Sequence, residues 1–86
     1  PFGQGNPRPL FMVRGVQPVS EPRLLRERHW KFDFYQDGTT KSGIWFNGAH
    51  DRLPPPPWDV AFYVDRNTWR GETTVQMLVQ DMRVSQ

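Results

Sequence analysis

The sequence predicts an all-β fold, a small barrel of about five short strands. Three observations point there. Several short stretches alternate apolar and polar residues, turn-forming residues separate them, and no segment carries the 3.6-residue apolar period of an amphipathic helix. Eighty-six residues without an internal repeat allow one domain with a small core.

Residues 1–9 hold two Gly and three Pro without periodicity, which reads as a turn-rich strap or linker from a missing upstream domain. The chain opens on Pro1, so it is expected to be a piece of something longer, with residues 10–86 as its one domain. Leu10-Phe11-Met12-Val13 suits a short strand. Val16 to Leu25 is extended, but Pro18 and Pro22 cannot donate to a ladder, which predicts a bent first strand.

His29 to Phe34 is the clearest strand. Trp30, Phe32 and Phe34 fall on one face, with His29, Lys31 and Asp33 on the other. Asp37-Gly38 supplies a hairpin turn, because Gly accepts positive φ without a steric penalty. The returning strand is expected over Thr40 to Phe46, with Ile44 and Phe46 inward and Trp45 therefore outward.

The stretch 48–57 cannot hold a long helix. His50 to Leu53 has room for one turn before four consecutive prolines. Val60, Phe62 and Val64 form the inward set of the next strand, and Val75, Met77 and Val79 that of the last, with a tight connection around Asn67 to Gly71. The bent first strand and the long gap at 47–58 favour an OB-type barrel among small β folds.

Composition narrows the function classes. The chain has no cysteine, so disulfides and thiolate metal sites are excluded. No apolar run approaches the length of a membrane-spanning helix. The net charge of +2 is too small to imply a polyanionic partner by itself, but it is unevenly spread. Residues 1–31 carry six cations and two acids, whereas residues 32–86 carry five cations and seven acids. Nine of the eleven cations are Arg, a side chain suited to bidentate phosphate contacts and to stacking on bases, though a solvated Arg-rich surface fits the count as well.

Gly3-Gln4-Gly5-Asn6-Pro7-Arg8 begins like a dinucleotide-binding fingerprint. No strand precedes it, and Arg8 stands where the third Gly belongs, so a structural turn is the better reading. His29, Asp33, His50 and Asp51 match no metal-ligand spacing, and no nucleophile–base order emerges, so no catalysis and no metal or other cofactor are expected of these residues. The outward set is more informative: His29, Lys31, Trp45 and Tyr63 on strands, with Arg66, Trp69 and Arg70 in the loop. Aromatics that stack bases beside cations that follow phosphates are the usual means of holding single strands. The competing reading is that Trp45 and Trp69 cover the barrel ends or pack on a neighbouring domain, Trp69 acting as a lid on the hairpin beside Gly71.

Four stretches together resemble the C-terminal OB-fold domain of the bacterial RecJ single-stranded-DNA-specific exonucleases. They are Pro1 to Phe11, His29-Trp30-Lys31-Phe32, Ile44-Trp45-Phe46, and Asp59 through Arg83. The last is similar to that family's Asp-x-Ala-Phe, Asn-x-aromatic-x-Gly and Gln-Leu-x-x-x-Asp-Ile-Arg string, with Met77 and Met82 in place of Leu and Ile. The resemblance implies a cytoplasmic domain that grips single-stranded DNA behind a DHH-type catalytic core using Mn²⁺ or Mg²⁺, with His29 and Lys31, then Arg66 and Arg70, as contacts. The DHH motif is absent from this sequence. It implies no metal here, and as partners single-stranded DNA, the DHH core of the same chain and a single-strand-binding protein. The rival expectation is a structural domain that braces the catalytic core or docks the single-strand-binding protein. An independent enzyme is a third.

Overall fold

The computed structural model describes residues 8–50 and 52–86. Among the described residues six strands form, β1 (Phe11–Pro18), β2 (Arg23–Leu25), β3 (His29–Gln36), β4 (Thr39–Trp45), β5 (Trp58–Trp69) and β6 (Glu72–Val84), with one 3₁₀ turn at Gly48–His50. The all-β barrel expected from the sequence is what the chain builds, with six strands in place of five. The sheet runs β1-β5-β6-β4-β3-β2 and closes on itself where β1 also pairs with β3, at Gln17–Tyr35 and Pro18–Phe34. Every pairing is antiparallel except β4 with β6, which is parallel.

The expected bent first strand is there, broken into two. Leu10 to Val13 and the start of the 16–25 stretch merge into β1, and β2 is what remains beyond the prolines. The bend within β1 sits at Gly15, at φ 71°, where the register with β5 shifts between Val13 and Val16. The Gly15 N–H, turned out of the ladder, donates to Asp59 Oδ1 at 3.0 Å. Beyond that bend β1 leaves β5 after Val16 and pairs with β3 at Gln17 and Pro18, and Pro22 lies in the unpaired stretch before β2.

Two reversals are two-residue turns with both central residues at positive φ, the geometry that matches strand twist. Asp37 and Gly38 (51° and 79°) join β3 to β4; Arg70 and Gly71 (52° and 84°) join β5 to β6. Between β2 and β3, Arg26 and Glu27 adopt the same left-handed conformation without the relief of a glycine, and the Arg28 N–H donates to Leu25 O at 3.0 Å.

The core gathers Val16, Phe32, Phe34, Trp58, Val60, Met77, Val79 and Met82. Trp58 lies edge-on to Phe32 and Phe34, at centroid distances of 5.7 and 6.0 Å, and its indole N–H donates to Pro54 O at 2.7 Å. That bond ties the proline run to the barrel, while Leu53 packs on the core from the same loop. Phe62 and Val64 are half-buried rather than enclosed, and Val75 is exposed. On β6 a bulge near Gln80 puts Val79 and Met82 on the same side, which strict alternation from Val79 does not give.

The inward set expected for the returning strand is corrected. With Asp37-Gly38 as the turn, Trp45 pairs with Trp30 and Ile44 with Lys31. Directly opposed residues share a face. Trp45 therefore lies on the core side, half-buried against the cluster, and Ile44, buried as expected, lies on the opposite face of the sheet. The backbone at Gly48 passes so close to the Trp45 ring that a Cβ there would stand 2.6 Å from it. Phe46 falls past the end of β4 and is 56% exposed.

Candidate nucleic-acid interface

A lateral row crosses the outer face of the barrel. Pairing places Arg23 of β2 beside Lys31 of β3, Lys31 beside Ile44 of β4, Ile44 beside Leu78 of β6, and Leu78 beside Tyr63 of β5. Five strands at the usual spacing make this row about 19 Å long. Ile44 is only 9% exposed although it lies outside the main core. Leu78 and Tyr63 are half-buried, so the middle of the row is an aliphatic floor. Cations stand at both ends. Arg23 and Lys31 occupy one, and at the other the Arg8 guanidinium lies 5.2 Å from the centre of the Tyr63 ring while donating to Val64 O at 3.0 Å.

The adjacent rung has the opposite sign. Asp33 pairs with Ser42, and Asp65 with Gln76, so carboxylates occupy the positions one step towards the hairpin turns. By Coulomb's law an anion would be disfavoured beside those carboxylates and favoured beside the cations of the Arg23–Tyr63 row. Barrels of this architecture read oligonucleotides on the face of their second and third barrel strands, between two loops. Since β1 and β2 share the place of the first barrel strand, that face here is β3 and β4. The flanking loops are the Arg-bearing turn 26–28 and the β5–β6 turn.

The structure sorts the seven residues singled out from the sequence. Lys31 and Tyr63 belong to the row, and the Lys31 ammonium donates to Ser42 Oγ. His29 stands on the same side of β3, nearer its start; its Nδ1 accepts the Asn47 N–H at 2.9 Å and its ring meets Phe46 edge-on at 5.2 Å. Trp69 and Arg70 sit at the end of the long β5–β6 hairpin. Trp69 is 72% exposed, with the Arg70 guanidinium 5.5 Å from its ring centre. Arg66 and Trp69 were expected in a loop; both are in strand β5, which continues to Trp69. Alternation puts Tyr63, Asp65, Asn67 and Trp69 on one face and Phe62, Val64 and Arg66 on the other, so Arg66 is separated from the row. Trp45 is not on this face at all, which leaves it a packing residue.

Sequence reading missed Arg8, Arg23, Ile44 and Leu78. One signal would have found Ile44: counting back from a two-residue turn at Asp37-Gly38 sets Ile44 opposite Lys31. Among the described residues no three His, Cys, Asp or Glu side chains cluster as a metal site, and the donors do not fit the metal of the implied parent enzyme. The turn at 3–7, and Asp51 of the His/Asp set, lie outside the described residues, as does the side chain of His50.

A family model described as the RecJ OB domain matches residues 1–81. The chain is also 32% identical over 83 residues to the single-stranded-DNA-specific exonuclease RecJ of Thermus thermophilus. That match takes in 96% of this chain but only 12% of the relative's length.

Proposed function

This chain belongs to the RecJ OB-domain family, and from that premise we propose that it is a single-stranded-DNA-binding module of a RecJ-like exonuclease, non-catalytic by itself. The observation that carries the reading is the row from Arg23 to Tyr63, an aliphatic floor with cations at both ends and acidic rungs beside it. Such a surface holds a backbone electrostatically and receives bases by contact, without reading sequence. The catalytic step, its Mn²⁺ or Mg²⁺ and its DHH-type centre belong, in this proposal, to other parts of a longer enzyme acting from the 5′ end, in DNA repair and recombination in the cytoplasm.

A titration of a fluorescent dT oligonucleotide at low salt, reading anisotropy and tryptophan emission together, tests it. Saturable binding that weakens as salt rises, with Trp69 emission quenched, is the expected result. Affinity unchanged from low to physiological salt overturns the electrostatic reading.

A second reading rests on a different face. Met12 is 64% exposed and is paired with Ala61, with Arg14, Asp59, Asp81 and Arg83 around it. Two of the strings that carry the family resemblance, Asp59-Val60-Ala61-Phe62 and Asp81-Met82-Arg83, converge on this surface across β5 and β6. That placement favours a bracing role towards a catalytic core or a docked single-strand-binding protein. Charge reversal at Arg14 and Arg83 separates the readings: intact DNA affinity with lost core association supports bracing, and charge reversal at Lys31 and Arg70 is expected to lower DNA affinity alone if the first reading holds.

A further inference from the structure

Phe46 is a large aromatic left in solvent on the cationic side of the barrel. Continuing the β3–β4 register one step past Trp30–Trp45 sets Phe46 opposite His29, and the two rings meet edge-on at 5.2 Å. Leu25 is paired to His29 from the other side. Leu25, His29 and Phe46 therefore form a rung on the same face as Arg23, Lys31 and Ile44, two residues along each strand and so about 7 Å away.

The place of Phe46 is fixed although the residue is 56% exposed. Asn47 turns the chain directly after it at φ 58°, a left-handed conformation that Asn adopts more readily than most residues, and its N–H donates to His29 Nδ1 at 2.9 Å. The Ala49 N–H then donates to Arg28 O at 3.2 Å, which ties the 3₁₀ turn to the turn between β2 and β3. An aromatic ring positioned in advance loses little freedom when a flat partner is laid on it.

Charge decides what kind of partner that is. Arg23, Arg26, Arg28 and Lys31 all belong to the two strands and the turn beside this rung, and none of the four is ion-paired among the described residues. The carboxylates of the same region are Glu27 in the turn, with Glu21 and Asp33 beyond Arg23 and Lys31. An apolar protein surface would leave those cations unmatched, whereas a nucleotide offers a flat base and an anion together. The acidic rung of Asp33 and Asp65 separates the row from Trp69, but the Phe46 rung adjoins the row directly.

We propose that Phe46, set against the His29 ring, is a base-stacking platform: one nucleobase of a bound strand lies on its exposed face while the adjoining phosphates meet Lys31 and Arg23. This rests on the reading of the row as a single-stranded-DNA surface, and adds to it a residue outside the row. Every base has a face to stack, so the contact supplies affinity without reading sequence.

The chain labelled with 4-fluorophenylalanine is titrated with a dT oligonucleotide and with an abasic strand of the same length, anisotropy reporting binding independently. The Phe46 signal is identified by its loss in Phe46→Leu. Expected is a saturable shift of that ¹⁹F signal with dT and none with the abasic strand. Affinity for dT should be about tenfold weaker in Phe46→Ala, with affinity for the abasic strand and the unfolding midpoint unchanged. Binding of dT with the Phe46 signal unmoved and the Phe46→Ala affinity intact overturns the platform and leaves the row standing. Equal losses of dT and abasic affinity in Phe46→Ala overturn it as well, because the ring then serves the backbone contacts and no base. Absence of dT binding at low salt overturns both the row and the platform.

Discussion

At the scale of single residues, two aromatics with similar prior standing have separated into different roles. Trp45 is held between Trp30 and the backbone of Gly48, so Trp45→Ala is expected to cost about 3 kcal/mol or more of stability, read by urea unfolding. Trp69 stands in solvent. Trp69→Ala is expected to change stability by less than about 0.5 kcal/mol while weakening oligonucleotide binding by about 1–3 kcal/mol. Loss of stability in Trp69→Ala with unchanged affinity would make it a hairpin lid instead. Gly43 shows how closely the core is fitted: a Cβ there would lie 2.6 Å from the Phe34 ring, so Gly43→Ala is expected to destabilise by about 1–3 kcal/mol, measured the same way. Phe32 is enclosed and Phe62 is not. Phe32→Ala should cost about 3–5 kcal/mol and Phe62→Ala roughly half as much, although their positions in the alternation are equivalent.

At the scale of elements, turns decide more than strands do. The β3–β4 turn sets which face every residue of β4 occupies, because a slip of one position exchanges the two faces. Trp30, Phe32 and Phe34 were legible as an inward set from their spacing alone. Ile44 and Trp45 were assigned in reverse because the apolar run Ile44-Trp45-Phe46 has no alternation of its own; only the count back from Gly38 resolves it. Gly38→Ala forces a side chain into a left-handed position and is expected to cost about 1–2 kcal/mol, visible as a lowered unfolding midpoint. A loss below a few tenths would mean the turn does not set this register. The β5–β6 hairpin was legible in kind but not in length. Strand continues to Trp69, past the end of β1 and the reach of β4, so the residues expected in a loop stand on an extended arm.

At the scale of the whole molecule, the parallel β4–β6 pairing makes the outer row. Arg23 and Tyr63 are 40 positions apart in sequence and come onto one line only because β4 and β6 pair in parallel. If Arg23, Lys31 and Arg70 each neutralise one phosphate, the slope of log affinity against log salt should be about −2, at roughly 0.7 per contact for single strands. Lys31→Gln should lessen that slope by about 0.7. A Lys31→Gln slope equal to that of the unaltered chain would remove this residue from the interface.

What the sequence determined by itself is local. Period-two alternation marks the strands, Gly after Asp or Arg permits left-handed turns, and Pro18 and Pro22 withhold ladder donors, so an all-β barrel with a broken first strand follows from short-range chemistry. Resemblance in four stretches added the family. What only the tertiary structure decided is which distant positions share a rung: Arg8 on Tyr63, Ile44 between Lys31 and Leu78, and Arg66 turned away onto the other face of β5. The physical reason is that strand chemistry repeats every two residues and has no memory of its neighbours, whereas a row across a closed sheet is set by register. Register is the joint outcome of turns, bulges and the core that all the strands must fill.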